Sequence, residues 1–494
     1  MCPKRVVAIA VAVIAVSAAP PSPILLFSQS AAGTLNVPAA FSTIQSAVTA
    51  AVSGDSVLIA PGTYLENITL TGKTITLASY YATTNNPAFI GQTVLDGRGG
   101  AAVIRIDATA GPATTLVGLT LRNASDGVNS NAKFNFLHNR VTNTGDGIDY
   151  ETGSGGLVRD CVFEANDDDG IDLDNRVETV IERNTIQNNG DDGIEIRLQS
   201  FTGPGLTITI RDNVIKGNRE DGIQLIGYPT LSPRKIYIER NLIAANAMAG
   251  LGMMCCANTI ENYEGASLKQ QIYLFHNTLS GNNHGVTGGD SVVAINNIIH
   301  GSTNYGMKFT DGGSIAVCNV FYGNGVNYQQ SNVVTSVFAD PKLGPISQLL
   351  PGSAAIDHGT RHLEVRGQVV FDADPSTYRG FAPDIGCYEF GIPLAVPDDV
   401  DGLAARLHDP VPNPSRGLTA LRLEAPVAGR LRLEILDVAG RQVRLVADRF
   451  TPAGRQDFSW DGLDAAGRRV PPGLYIARLT SGTRVESRQL VRLR

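Results

Sequence analysis

The chain reads as all-β, a parallel β-helix solenoid followed by a small β-sandwich. Between Asn123 and Lys308 one phrase keeps returning: an Asn, a short apolar stretch, another amide or small residue, then Asp-Gly and an alternating strand. Its clearest copies run from Asn139 to Asp149, Cys161 to Asp172, Asn184 to Glu195 and Asn213 to Gln224. The steps from Asp126 to Asp146, Asp169 and Asp192 are 20, 23 and 23 residues. Repetition at that period, without helical spacing, makes each copy one turn of a solenoid. Beyond residue 405 the phrase gives way to about seven short strands separated by turn signals, as in a small sandwich.

At the amino terminus, Lys4 and Arg5, an apolar run from Val6 to Val16 and small residues up to Ala32 read as an export signal over 1–32. The mature chain is therefore expected outside the cytoplasm, secreted or at the cell surface. No later apolar stretch is long enough to span a bilayer. Ile44, Ala47, Val48 and Ala51 recur at helical spacing, which predicts a short amphipathic helix beginning near Val37 and covering the open first coil. The segments Val57-Leu58-Ile59, Ile68-Thr69-Leu70 and Ile75-Thr76-Leu77 are short strands broken by Gly and Pro. Together with the Asp-Gly coils they resemble secreted right-handed β-helix proteins of the pectate-lyase-like superfamily, over residues 33–337. The resemblance implies a right-handed parallel β-helix. It leaves activity open, because that superfamily hosts lyases, hydrolases, epimerases, esterases and adhesins.

Phe338-Ala339-Asp340-Pro341, Leu350-Pro351-Gly352 and Pro383-Asp384-Ile385-Gly386-Cys387 resemble the closing segment of exported bacterial β-helix proteins. Residues 338–392 are therefore expected to cap the solenoid, with Asp357 and Asp384 as turn residues. A Pro/Asp-rich linker, 393–405, leads to residues 406–494. There Pro412-Asn413-Pro414, Trp460-Asp461-Gly462 and Gly473-Leu474-Tyr475 resemble the immunoglobulin-like module related to the flagellar hook-cap protein and to carboxy-terminal sorting domains. That resemblance implies attachment to cell-surface or secretion machinery, and Trp460 is expected in the core of the module.

Charge narrows the partners. The whole chain carries −7, yet residues 403–494 hold 16 Arg against 9 acidic groups, so the acidic excess lies in the solenoid. Such a body repels nucleic acid and anionic membranes. Five scattered cysteines after the signal make no disulfide framework. Cys161 takes a place that Asn fills in other coils and is expected to be packed there. Cys255-Cys256 reads equally as a vicinal bridge or a reduced pair.

Neighbouring strands of a parallel sheet lie about 4.8 Å apart, so Asp126, Asp146, Asp169, Asp192 and Asp221 are expected to form a column. Two carboxylates at that distance repel by about 0.9 kcal/mol in water and by more where solvent is excluded. Side-chain alternation turns Ile171 and Leu173 inward and exposes Asp172 and Asp174. It likewise exposes Asp149 and Glu151 one coil earlier and Glu195 and Arg197 one coil later. Asp149, Asp172 and Glu195 thus make a second acidic column. With Asp146, Asp168, Asp169, Asp191 and Asp192 they form a dense set of hard oxygen donors, of the kind Ca²⁺ takes. Asp and Gly also suit a sharp turn with φ > 0, without any metal.

Asn166-Asp167-Asp168-Asp169-Gly170-Ile171-Asp172, with Gly145-Asp146-Gly147 a coil earlier, is similar to the calcium-binding coils of family-nine polysaccharide lyases, which cleave pectate. The resemblance implies calcium held by Asp146, Asp168, Asp169 and Asp172, and a neutral Lys on a nearby coil that removes the α-proton of a uronate. Here the pattern departs from the family. The outward position continues as Glu195 and Gln224, with no Lys until Lys308. Arg197 is a candidate base beside Glu195, although an Arg paired to a carboxylate stays charged. Lys216 and Lys235 are further candidates near the same face.

Coil length grows after Glu195, with extra residues in Gln199–Leu206, Tyr228–Lys235 and Met253–Gln271. Stacked insertions build a wall beside the acidic face. Tyr228, Arg234 and Lys235, with Tyr263 and Lys269, are candidate contacts for an acidic sugar. Asn184, Asn213, Asn241 and Asn277 fit an inward amide ladder. The expected function is binding or cleavage of an acidic polysaccharide such as pectate or alginate, with calcium and, for an enzyme, lyase chemistry. Two alternatives stand: a non-catalytic adhesin-like scaffold, and a glycoside hydrolase using two carboxylates.

Overall fold

The computed structural model describes residues 32–257, 262–264, 267–365, 367–391, 406–425, 429–438, 440–451, 454–481 and 484–493. The expected linker and all but Ala32 of the expected signal lie outside them. No helix among the described residues is long and apolar enough to cross a membrane.

The first strand, Thr34–Val37, already pairs in parallel with Ser56–Ile59 of the next coil. The cap helix follows a turn later than expected, at Ile44–Ala50, because Val37 belongs to that strand. Ile44, Ala47 and Val48 face the core, which fixes the helix as a lid. The following coils cap both its ends. Glu66 accepts from the N–H groups of Ile44 and Gln45 at 2.9 and 3.0 Å, and Lys73 donates to the carbonyls of Val48, Thr49 and Ala51. An anion at the helix start and a cation at its end both complement the dipole.

Each middle coil contributes three strands, and equivalent strands stack into three parallel faces. The first face contains Gly155–Arg159, Glu178–Glu182, Leu206–Arg211 and Arg234–Glu239. The second contains Val162–Glu164, Thr185–Gln187, Val214–Lys216 and Leu242–Ala244. The third contains Ile171–Leu173, Ile194–Leu198, Ile223–Gly227, Ala249–Met254, His284–Thr287 and Tyr305–Lys308. Inward side chains from all three, such as Ile171, Ile181, Ile186 and Ile194, fill one continuous apolar core. Strands buried against their copies on both sides satisfy each other's backbone groups without a turn-by-turn hairpin.

Buried amides hold the corner between the first and second faces. Oδ1 of Asn184, Asn213, Asn241 and Asn277 accepts the N–H of residue 161, 184, 213 and 241 in the coil before, at 2.9 to 3.0 Å. Cys161 occupies the same rung and is buried, and the described cysteines, including Cys255 and Cys256, are free. A second ladder of Asn166, Asn189, Asn218, Asn246 and Asn282 holds the corner before the third face. The Asp-Gly glycines are required for a different reason from the positive φ a sharp turn would need. Left-handed residues stand earlier, at Asn188 and Gly217, whereas a Cβ on Gly193 would lie 2.5 Å from the carbonyl oxygen of Gly222 and 2.6 Å from Ile215. Close approach of successive coils, rather than turn geometry, selects glycine there.

The 338–391 segment does not simply close the end of the solenoid. It runs along the second face, where Ala355 and Ile385 pack on Ile298 and Val320 and Cys387 packs on Val214 and Leu242. Outward apolar residues of that face supply the reason, since Val214, Leu242, Ile298 and Val320 would otherwise meet water. Asp357 and Asp384 are turn residues there, accepting backbone N–H groups from Phe381 and from Asp357 respectively. The final module has a three-stranded and a four-stranded antiparallel sheet. Its core includes Trp460, edge-on to Tyr475 at 5.3 Å and donating to the Leu463 carbonyl.

Replacing one rung amide removes an acceptor from a buried N–H. Asn241→Ala is expected to lower unfolding free energy by about 1–3 kcal/mol in chemical denaturation, while Thr207→Ala on the exposed strand surface changes it by less than about 0.5 kcal/mol.

Candidate functional site

The third face carries three columns of acids. In the first, Asp126 pairs with Asp146, and each carboxylate then accepts the backbone N–H of the next Asp. Asp146 binds Asp169, Asp169 binds Asp192 and Asp192 binds Asp221 through Oδ1, at 3.1, 2.8 and 2.6 Å. Asp221 ends the run by accepting from Ala249 N–H and the Tyr263 hydroxyl. The ladder runs opposite in sense to the Asn ladders, with the acceptor in the preceding coil. In the second column Asp149, Asp172 and Glu195 stand in register. In the third, Asp168, Asp191 and Glu220 follow one another through backbone bonds of 3.1 and 3.0 Å.

Packing corrects the expectation that the second column is exposed. Asp172 and Glu195 point away from the core yet keep only 7% and 6% of their accessible surface. Burial raises their carboxyl pKa values, and neighbouring carboxylates raise them further. The same two causes push Asp146 and Asp149 up to about 7 and place Asp169 and Asp192 well above the ordinary range. Like charges forced together in a poorly solvated place bind protons or cations.

Carboxylate oxygens of Asp146, Asp168 and Asp169 lie within 4.8 Å of one another, as do those of Asp169, Asp172 and Glu195. Oδ1 of Asp172 is buried without a hydrogen-bond partner. All-oxygen donors at this density, one of them orphaned, fit a hard divalent cation. Two predicted ligands sit apart from these groups. Asp149 takes the Asn129 amide at 2.7 Å, and Asp192 groups instead with Asp191 and Glu220. Glu220 escaped the sequence reading, although it precedes Asp221-Gly222 as Asp168 precedes Asp169-Gly170.

Arg197, the candidate base, is the resident counter-charge. Its guanidinium lies 2.5 Å from Glu195, 3.6 Å from Asp172 and 3.8 Å from Asp174. Burial works against its charge, but these carboxylates outweigh it and raise its pKa, so it stays protonated in its ion pairs.

The wall follows the third face, with most of the Met253–Gln271 insertion described. Its predicted sugar contacts divide by burial. Arg234 is 4% exposed, donates to the Gln199 carbonyl and lies 4.7 Å from the Phe201 ring, so it ties two wall loops together. Tyr228 packs on Ile226, Ala249, Met254 and Tyr263. Lys235 is exposed, at the start of the first face. Lys216 ends a second-face strand between Gln187 and Ala244. On the third face the second column passes from Glu195 through Gln224, Gly252 and Thr287 to Lys308. The first continues from Asp221 through Ala249 to His284 and Tyr305. Those rings stack at 5.7 Å, and Lys308 lies 4.7 Å from the Tyr305 ring. Burial and Lys308 lower the His284 pKa, so its imidazole is neutral at neutral pH. His284 and Tyr305 went unseen because no Asp-Gly phrase marks their coils.

The raised carboxyl pKa values have a sign. In metal-free protein the folded chain binds protons more tightly than the unfolded one between about pH 4 and the folded values, so stability is fullest below about 4 and is lost as pH rises, passing through about 7 for Asp146 and Asp149. Scanning calorimetry in EDTA is expected to show Tm falling over that window, and Ca²⁺ to restore it. Arg197→Met is expected to lower the Tm in EDTA at pH 8 and to enlarge the gain from Ca²⁺. A Tm that climbs with pH in EDTA contradicts both.

Residues 80–243 match the family model of the right-handed beta helix region, and residues 415–484 match that of the FlgD Ig-like domain. No curated protein matches the chain. Among solved structures, pectate lyase Pel9A is similar at 15% identity and a TM-score of 0.48, over 73% of this chain and 97% of its own. The A-module of the Azotobacter vinelandii mannuronan C-5 epimerase is similar at 15% identity and a TM-score of 0.35, over 60% and 96%. The catalytic domain of a family-87 α-1,3-glucanase is similar at 13% identity and a TM-score of 0.37, over 62% and 68%. The chain is a right-handed parallel β-helix protein that carries a carboxy-terminal immunoglobulin-like domain.

Proposed function

We propose that the third face binds an acidic polysaccharide outside the cell, through a divalent cation at its acidic end and through His284, Tyr305 and Lys308 at the other. The observation that carries this reading is the order of side chains along two adjacent columns. Carboxylates occupy them up to Asp221 and Glu195, and an imidazole, a phenol and an ammonium occupy their continuation. Four strand spacings, about 19 Å, separate Glu195 from Lys308, which is room for several sugar units. A polymer with a carboxylate on each sugar meets a cation at both ends of that span.

Asp146, Asp168 and Asp169 would hold the ion, with Asp172 beside them. When bound, a divalent cation neutralises a uronate carboxylate and acidifies the adjacent C–H. Arg197 keeps Glu195 and Asp172 oriented and partly neutralised. His284 lies four coils beyond Asp169 along the first column, so it meets the polymer beyond the ion rather than at the sugar the ion would hold. Tyr305 holds the His284 ring by stacking, and Lys308 pairs with a neighbouring uronate.

A second reading is favoured by the aspartate ladder itself. Since Asp146, Asp169 and Asp192 each bond a backbone N–H, the first column contributes to the fold without chemistry, as in an adhesin-like scaffold.

Incubation of the full chain with polygalacturonate and with alginate separates the two. The enzyme reading expects ultraviolet absorbance from unsaturated uronate in Ca²⁺ and none in EDTA. The scaffold reading expects no product and, in affinity electrophoresis, binding that survives Asp169→Asn and Asp172→Asn. Neither product nor binding on any uronate polymer would sink the proposal.

A further inference from the structure

The third acidic column begins and ends abruptly. Backbone bonds stack Gly145, Asp168, Asp191, Glu220 and Met248 in that order, one per coil. Only three members are acidic, and they serve two gaps. Asp168 lies with Asp146 and Asp169, the group that would hold the cation of the proposed function. Asp191 and Glu220 lie around Asp192, with one carboxylate oxygen from each within 4.8 Å of the others. The first group takes Asp146 and Asp169 from one column and Asp168 from its neighbour, whereas the second takes Asp192 from the former and both Asp191 and Glu220 from the latter. Beyond Glu220 and Asp221 both columns lose their acids, since the next coil offers Met248 and Ala249.

The second group has an independent mark of a missing ligand. Asp192 is 1% exposed. Its Oδ1 takes the N–H of Asp221 at 2.6 Å, while its Oδ2 is buried with no hydrogen-bond partner. An orphaned, buried carboxylate oxygen is costly unless a proton or a cation meets it. Asp191 and Glu220 are only partly buried, so an ion reaches the group from solvent and keeps water on its open side, as hard cations do.

From this geometry we infer that the protein has a second divalent-cation site, made by Asp191, Asp192 and Glu220, on the two coils that follow those of the first. It is a distinct site whose existence does not depend on the polysaccharide reading. Two divalent ions on neighbouring pairs of coils repel each other, so binding of one weakens the other. The pair would present two charges along the third face to carboxylates of a bound polymer.

Calcium alone, titrated into the EDTA-stripped full chain by isothermal calorimetry and counted by metal analysis after dialysis, tests the assignment. Wild type is expected to bind two ions at these sites. Asp191→Asn with Glu220→Gln is expected to lose one and keep the other, and Asp168→Asn the reverse. If circular dichroism shows the double variant unfolded, Glu220→Gln alone decides, with an expected tenfold or greater weakening of one of the two steps. Equal stoichiometry and affinity in wild type and a folded Glu220 variant overturn the second site. One ion lost only with Asp168→Asn overturns it while sparing the first. One ion lost only with Glu220→Gln upholds it and removes the first. No calcium uptake at all overturns both.

Discussion

Backbone hydrogen bonding between successive coils is the constraint on which everything else in this molecule rests. Once coil and coil are locked in parallel register, each outward side chain has its counterpart about 4.8 Å above and below, and no rotamer choice removes it far. The sequence can only choose what chemistry to place in a column. Amides solve the problem outright, because each Asn both donates and accepts, and the ladder through Asn184, Asn213 and Asn241 uses both capacities. Apolar columns solve it by packing. Acids solve nothing by themselves.

The protein contains its own control for that argument. At the edge of the first face, column members alternate in sign: Arg159, Glu182, Arg211 and Glu239 are in register. Beside them, Arg183 pairs with Asp160 at 2.8 Å and Arg240 with Asp212 at 2.7 Å. There the solenoid neutralises itself coil by coil. On the third face the same register stacks Asp on Asp through several coils, and Arg197 is shared among three carboxylates. On the proposed reading, same-sign stacking beside working ion-pair ladders lets this face take up charge from outside, and a bound ion would offset its cost in stability.

Register made much of this legible beforehand. The spacing of Asp-Gly put Asp149, Asp172 and Glu195 in one column and Lys308 at its far end, because period-2 alternation and coil length suffice for that. The amide ladder and the rung of Cys161 followed from the same counting. What spacing cannot give is solvent access or long-range cover. Asp172 and Glu195 lie side by side and under Arg197, so they are outward yet buried. Arg234 turns into the wall because Phe201 and the Gln199 carbonyl wait there. His284 and Tyr305 sit on coils whose length and turn differ, and only the pairing of Ala249 with His284 reveals that they continue the aspartate column. The path of residues 338–391 along the second face depends on contacts more than a hundred residues apart, such as Cys387 N–H to the Thr278 hydroxyl.

The most direct test of an acidic face that requires a cation is a crystal of the full chain grown with calcium and measured for anomalous scattering. The account predicts a peak with carboxylate oxygens of Asp168 and Asp169 about 2.3 to 2.6 Å away. Carboxyls of Asp146, Asp168 and Asp169 hydrogen-bonded to one another or to water, with no anomalous peak among them at neutral pH, would contradict it.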